Sequence, residues 1–138
     1  THDPDLPLLG DSALGIRSTY HYSIAHKSPE NEKFLAKIKE LGGSLDEVNM
    51  CAVGAFDGIH VIYKMIEATK GKRDPAAAIA AVKSAAWISP RGPVKIDPET
   101  RHIQQTVYLR EIVREGGRLI NREIASFPDQ PDTGLRSN

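Results

Sequence analysis

The character of the chain changes over residues 89–101, which read SPRGPVKIDPETR. Helical patterns dominate before this segment, and strand patterns dominate after it. Within it, Val94 and Ile96 predict a short strand, and residues 97–100, which read DPET, predict a turn. The segment therefore separates a helical portion from a portion of sheet.

A β-hairpin is predicted directly after this segment. The pair Gly116-Gly117 supplies the flexible turn that two antiparallel strands need. Apolar residues flank it on both sides, at Val107, Leu109, Ile112 and Val113 and then at Leu119, Ile120 and Ile124. The last residues, 128–138, are predicted to form a loose tail.

Three helices are predicted before residue 87. The first begins at Ser28-Pro29-Glu30, because Ser caps, Pro suits the first helical position and Glu favours the positive end of the helix dipole. A capping box at residues 44–47 predicts the start of a long, mostly buried helix over residues 48–68. Asp74-Pro75 predicts the third helix, which continues through Ala86.

The amino-terminal part combines a loop with a strand. Residues 1–12 are rich in Asp, Pro and Gly and predict a loop or a frayed start. Residues 14–22 alternate with a period of two, which predicts a strand with two distinct faces. The predicted order of strand, three helices, short strand and hairpin indicates an α/β fold whose strands need sheet neighbours.

Composition excludes several classes of protein. The chain has 138 residues with 18 basic and 18 acidic side chains, so no charge surplus indicates nucleic-acid binding. No apolar run reaches the length of a membrane span. No secretory leader opens the chain, which excludes nothing because a mature or cleaved product would also lack one. Cys51 is the single cysteine, so we expect no internal disulfide and a thiol packed inside a helix. The histidines lack metal-ligand spacing, and no cofactor is expected.

Several segments, in this order, resemble the branched-chain amino acid (Leu/Ile/Val) type of periplasmic binding protein, over most of residues 6–127. They are Ala13-Leu14-Gly15-Ile16, Tyr20-His21-Tyr22-Ser23, Ser28-Pro29-Glu30-Asn31, Ala52 to Gly58, Trp87 with residues 89–101, and the strands at 103–112 and 119–124. The resemblance implies a carboxyl-terminal fragment of the type I periplasmic-binding fold, without the first lobe. It implies a crossing strand at residues 1–22, a helical portion at 28–86, closing strands at 87–127 and a tail at 128–138.

The function implied by the resemblance is solute capture for an ABC importer. Such a receptor is not an enzyme, lies in the periplasm or another extracytoplasmic space, and closes two lobes about a hinge around an amino acid or a related, for example aromatic, carboxylate. The expected partners are the ligand, the transporter permease, and either the missing amino-terminal portion or another copy of the chain.

The ligand-binding residues implied by the resemblance are Tyr20, His21, Tyr22, Phe56 and Asp57. Relatives often carry Tyr at the position of Phe56, so a phenolic hydrogen bond is absent here. If the strand alternates throughout, His21 faces away from Tyr20 and Tyr22, and only one of these sets faces the ligand. The alternative is that both tyrosines are core or edge aromatics and His21 lies on the surface.

Two other functions are open on the sequence alone. A self-associating binding or assembly module would cover the unpaired strand edges without any role in transport. A small hydrolase or isomerase would use Asp57 and His60, which lie three residues apart on one helix face. No neighbouring nucleophile or third orienting group supports the second of these.

Overall fold

The computed structural model describes residues 2–132, which form a mixed α/β arrangement around one antiparallel sheet. The strands are β1 (Arg17–Tyr20), β2 (Ala86–Ser89), β3 (Gly92–Ile96), β4 (Ile103–Glu115) and β5 (Arg118–Gln130). The helices are α1 (Leu6–Leu9), α2 (Pro29–Glu40), α3 (Met50–Thr69) and α4 (Pro75–Val82), with 3₁₀ turns at Asp3–Asp5, Gly10–Ala13 and Leu45–Glu47. The predicted α/β class is confirmed.

Strand β4 organises the sheet because it pairs along both of its edges. One edge pairs with β5 in the predicted hairpin, which turns at Gly116-Gly117, both at positive φ. The other edge pairs with β3 near Gln105 and with β1 from Tyr108 onward. Strand β1 therefore ends, and β3 begins, at neighbouring points on the same edge of β4.

Local capping explains where the helices start. Ser28 accepts a hydrogen bond from the backbone N–H of Asn31, as predicted for α2. The predicted capping box at residues 44–47 does not start the long helix, because Ser44 caps only the 3₁₀ turn that follows it. Asn49 caps α3 instead, and its side-chain oxygen accepts from Cys51 N–H at 2.8 Å. Helix α4 ends at Val82 rather than Ala86, since Ala86 already belongs to β2.

The prediction that the long helix is mostly buried was wrong. Only Val53 and Asp57 of α3 are buried. A row of its apolar side chains is 44–61% exposed, at Phe56, Ile59, Ile62, Tyr63 and Ile66. Cys51 is also exposed rather than packed inside the helix. Within residues 2–132, α3 packs mainly against α4, which leaves this apolar face open.

Both ends of the described chain are more ordered than the sequence predicted. Residues 3–13 form short helical turns, because Leu6 and Ala13 pack against Ile112 of β4 in a small core. Strand β5 continues to Gln130, so the predicted tail does not begin at residue 128. The remainder of that tail, residues 133–138, and Thr1 lie outside the described residues.

The first strand is shorter than the alternating pattern indicated. Strand β1 stops at Tyr20, so Tyr22 is not part of it and the alternation argument fails beyond this point. Tyr22 instead joins Phe34, Val48 and Val53 in the main core cluster. No helix among residues 2–132 is long and apolar enough to cross a membrane.

Candidate functional site

A polar cluster lies beside β4, where β1 ends and β3 begins. Its members are Tyr20, His21, Asp57, Arg91, Gln105 and Arg110. Tyr20, the last residue of β1, pairs with Tyr108, and the Tyr108 hydroxyl donates to the carbonyl of Arg91 at 2.9 Å. Arg91 stands immediately before β3. The strand ends therefore bring the segment around Tyr20 close to the turn at Arg91.

The buried carboxylate of Asp57 ties α3 to this turn. One oxygen accepts from Trp87 Nε1 at 2.9 Å, and the other accepts from Ser89 Oγ at 3.0 Å. The second oxygen also pairs with Arg91 Nη2 at 2.8 Å, and these two charged side chains are 2% and 8% exposed. A buried ion pair with additional hydrogen bonds offsets much of the cost of removing both charges from water.

The guanidinium of Arg91 is held from both sides. Its Nη2 faces Asp57, and its Nη1 donates to Gln105 Oε1 at 2.6 Å. Its Nε is buried without a hydrogen-bond partner among residues 2–132. The cation is therefore fixed in orientation and retains one buried polar atom that protein groups leave unsatisfied.

A second buried guanidinium, that of Arg110, lies across the cluster. Arg110 is 1% exposed and projects from β4. Its Nη1 donates to the Tyr22 carbonyl at 2.7 Å, its Nη2 donates to Ser18 Oγ at 3.0 Å, and its Cζ lies 4.9 Å from the centre of the Tyr20 ring. Burial lowers the pKa of Arg110, while Asp3 is the largest opposing influence. The guanidinium remains charged near neutral pH.

His21 stacks on Tyr20 and is influenced by the charges of both cations. Its ring stacks on Tyr20, with centres 4.6 Å apart and planes inclined by 24°. The pKa of His21 is lowered from 6.5 to about 4, mainly by burial and also by the positive charges of Arg91 and Arg110, against the opposite influence of Asp57. The imidazole is therefore neutral near pH 7, with one ring nitrogen as donor and the other as acceptor.

A family model described as periplasmic binding protein matches residues 1–118. The chain belongs to the periplasmic binding protein family. A Leu/Ile/Val-binding protein homolog 6 from Brucella abortus (strain 2308) is 52% identical over 138 residues, which make up 99% of this chain and 35% of that protein. The predicted resemblance to receptors of this type is confirmed, and the chain spans about a third of that relative's length.

Solved structures of the periplasmic binding protein family superpose closely on this chain. A solute-binding protein of an ABC transporter from R. palustris, in complex with 4-hydroxybenzoate, is 60% identical with a TM-score of 0.96 over 99% of this chain and 37% of its own. A second one, from Rhodopseudomonas palustris BisB5 in complex with 3,4-dihydroxybenzoic acid, is 42% identical with a TM-score of 0.87 over 96% of this chain and 36% of its own. The fold is therefore that of a portion of a periplasmic binding protein.

The structure brings three of the five sequence-predicted site residues together, namely Tyr20, His21 and Asp57. Tyr22 lies elsewhere, fully buried, with its hydroxyl donating to Asn31 Oδ1 at 3.0 Å. Phe56 lines a separate, mostly apolar groove of about 410 Å³ on α3. Within this chain, Tyr22 is thus a core residue and Phe56 does not line the polar cluster.

The proposed acid–base pair of Asp57 and His60 finds no support in the contacts. Both carboxylate oxygens of Asp57 already accept from Trp87, Ser89 or Arg91. The His60 ring packs instead on Trp87, with ring centres 5.1 Å apart. Residues 2–132 also hold no group of three or more side chains suited to a metal ion.

Sequence reasoning missed Arg110 and Gln105, and it interpreted Arg91 as an exposed turn residue although the structure buries it. A signal for Arg110 was present, because Tyr108, Arg110 and Ile112 share one face of β4 and are all buried. A charged residue at a position of a strand whose side chain faces the core indicates a buried polar network. Arg91 offered no such signal, since an exposed turn is the commonest place for arginine beside Gly and Pro.

The lowered pKa of His21 predicts that stability depends on pH. Because an unfolded chain binds the proton near pH 6.5 and the folded chain only near pH 4, acidification between these values favours unfolding. We expect the free energy of unfolding to fall by about 2 kcal/mol over this range, allowing for partial exposure of the ring. Urea titrations at several pH values would measure the loss.

The control for this prediction is His21→Gln, which removes the titrating group. Subtracting its pH profile from that of the wild type isolates the contribution of the His21 imidazole. Identical slopes for the two proteins between pH 4 and pH 6.5 would contradict the assignment to His21.

Proposed function

We propose that the chain is part of the solute-binding component of an ABC importer and that its ligand is a hydroxylated benzoate. The observation that carries the proposal is the 60% identity, over 99% of the chain, to an R. palustris receptor in complex with 4-hydroxybenzoate. A further relative at 42% identity is in complex with 3,4-dihydroxybenzoic acid, which belongs to the same chemical class.

The charge of the polar cluster supports an anionic aromatic ligand. The charged groups that act on His21 are the guanidiniums of Arg91 and Arg110 and the carboxylate of Asp57, so positive charge exceeds negative charge there. An excess of buried positive charge favours the approach of an anion. The stacked rings of Tyr20 and His21 add a flat surface suited to an aromatic ring.

The same cluster argues against a branched-chain amino acid as the ligand. An amino acid brings an ammonium group, which needs a carboxylate or several acceptors. Asp57 is the carboxylate that acts on His21, and it already accepts from three side chains, one of them the cation of Arg91. The Leu/Ile/Val name of the B. abortus relative therefore does not outweigh the benzoate complexes as a guide to the ligand.

We place the working receptor in the periplasm, where the family acts, with the transporter permease as its partner. Capture would proceed by closure of this portion and a second lobe around the ligand, without bond making. The exposed apolar face of α3 indicates that another element packs on it, either the rest of the receptor or a second copy of the chain. The self-associating module of the sequence analysis corresponds to the second of these.

A chimera tests the proposed ligand class. All 138 residues would replace the matching third of the R. palustris receptor, and calorimetry would compare 4-hydroxybenzoate with leucine. We expect 4-hydroxybenzoate to bind at least about tenfold more tightly than leucine, a difference of about 1.4 kcal/mol. The unmodified R. palustris receptor is the control for the assay. Tighter binding of leucine, or binding of neither solute by a folded chimera, would refute the proposal.

A further inference from the structure

The His21 ring is available for hydrogen bonding to a ligand. The ring is half-buried at the point where β1 has just ended, and it contacts Tyr20 by stacking. Neither ring nitrogen makes a hydrogen bond to residues 2–132, in contrast to His26, whose Nδ1 lies 2.9 Å from a Glu123 oxygen. The stack with Tyr20 holds the His21 ring in one orientation without using its donor or acceptor.

The guanidiniums of Arg91 and Arg110 influence His21 through their charge. Their terminal nitrogens donate to other protein groups. Arg91 donates through Nη1 and Nη2 to Gln105 and Asp57, at 2.6 and 2.8 Å. Arg110 donates through Nη1 and Nη2 to the Tyr22 carbonyl and to Ser18, at 2.7 and 3.0 Å. Each terminal nitrogen thus already donates to a protein group, and these bonds fix the orientation of both guanidiniums.

We propose that His21 recognises the ring hydroxyl of the benzoate ligand, accepting a hydrogen bond from the phenolic O–H, an inference that rests on the proposed function. A neutral imidazole presents a single acceptor nitrogen, which matches a single hydroxyl donor. Burial keeps this nitrogen unprotonated, and the charges of Arg91 and Arg110 add to the effect because they would repel a further positive charge. They also stabilise the partial negative charge of the phenolic oxygen and so strengthen its donation.

The carboxylate end of the ligand fits this position less well. A carboxylate has two oxygens and four acceptor sites, and it offers no proton to an acceptor nitrogen. His21 can supply a single N–H, whereas a carboxylate accepts several hydrogen bonds. The geometry therefore assigns the hydroxyl end to His21, while the positive charge of the cluster attracts the anionic ligand as a whole.

The test compares ligands that differ only at the hydroxyl, in the chimera that carries this chain. Benzoate lacks the hydroxyl, and 4-methoxybenzoate keeps the oxygen but cannot donate a hydrogen bond. In the wild-type chimera we expect 4-hydroxybenzoate to bind about tenfold or more tightly than either analogue. In His21→Phe, which keeps a flat ring for stacking, we expect this preference to fall to about twofold or less, through loss of 4-hydroxybenzoate affinity alone.

The matched control is His102→Phe, the same replacement at a histidine paired with Asp132 far along the sequence. We expect it to leave the preference unchanged. His21→Asn keeps a polar acceptor on a shorter side chain, and we expect an intermediate preference. Circular dichroism and thermal melting would establish that each variant is folded. If His21→Phe does not fold, ¹⁵N spectra of the His21 imidazole in the wild-type chimera replace it. A change in the imidazole chemical shifts with 4-hydroxybenzoate but not with benzoate supports the assignment, and equal changes with both ligands contradict it.

The outcomes separate this inference from the function on which it rests. A wild-type chimera that binds none of the benzoates overturns both. Binding of 4-hydroxybenzoate with an equal loss for all three ligands in His21→Phe overturns only the inference, since it places His21 against a part that the ligands share. Unchanged affinities in His21→Phe likewise overturn the inference and leave the benzoate receptor intact.

Discussion

Replacing Asp57 by Asn should lower the free energy of unfolding by about 3–5 kcal/mol, the usual cost of breaking a buried ion pair from one side. The substitution leaves the guanidinium of Arg91, whose side chain is 8% exposed, without its counter-charge. It also turns an amide N–H₂ toward Trp87, Ser89 or Arg91, all of which donate to this carboxylate. Urea denaturation of the chain, followed by circular dichroism, measures the loss.

Two further variants make the Asp57 prediction specific. Glu40→Gln removes an exposed ion pair of 2.7 Å with Lys37 and should change stability by less than about 0.5 kcal/mol. The double variant Asp57→Asn, Arg91→Met removes both charges and should recover part of the loss, since it leaves no unpaired buried cation. Simple additivity of the two single losses would show that the pair is not coupled as the geometry indicates.

Arg110→Met should cost about 3 kcal/mol, because buried acceptors lose their charged donor. The Tyr22 carbonyl and Ser18 Oγ accept from Arg110 at 2.7 and 3.0 Å, and Tyr22 belongs to the main core. Methionine fills part of the volume, so the loss reports mainly the hydrogen bonds and the contact with the Tyr20 ring. Thermal and urea unfolding of the chain would both register it.

Arg17→Met is the matched control for Arg110→Met, because Arg17 lies in β1, which pairs with the part of β4 that carries Arg110. Its side chain is 64% exposed and lies 3.8 Å from Glu111, so its removal should change stability by less than about 1 kcal/mol. Equal losses for the two substitutions would mean that the buried hydrogen bonds of Arg110 contribute nothing beyond a surface arginine.

Patterns close together in the sequence predicted the elements that depend on local chemistry. The start of α2 follows from Ser28, whose side chain caps the helix, and the β4–β5 turn follows from Gly116-Gly117 at positive φ. The same approach misplaced the start of α3, because Ser44 and Asn49 are both capable caps only five residues apart. Choosing between such caps depends on where Val48 packs in the core.

The candidate site was only partly predictable for a related reason. Tyr20, His21 and Asp57 came from family resemblance, but the alternation argument gave Tyr22 the same facing as Tyr20. The end of β1 at Tyr20 breaks that alternation and sends Tyr22 into the core. The burial predicted for α3 was wrong for a similar reason. Apolar periodicity shows which face of a helix is apolar, but it does not show whether another element within residues 2–132 packs on that face.

The sequence by itself determined the α/β class, the β4–β5 hairpin and the start of α2, because propensities, caps and turn residues act over a few positions. Membership of the periplasmic binding protein family was predicted from the resemblance of several segments in order. Only the tertiary structure decided that Asp57 pairs with Arg91 and that Arg110 donates to the Tyr22 carbonyl. Those contacts join residues 34 and about 90 positions apart, and their geometry depends on β1 and β3 meeting along one edge of β4.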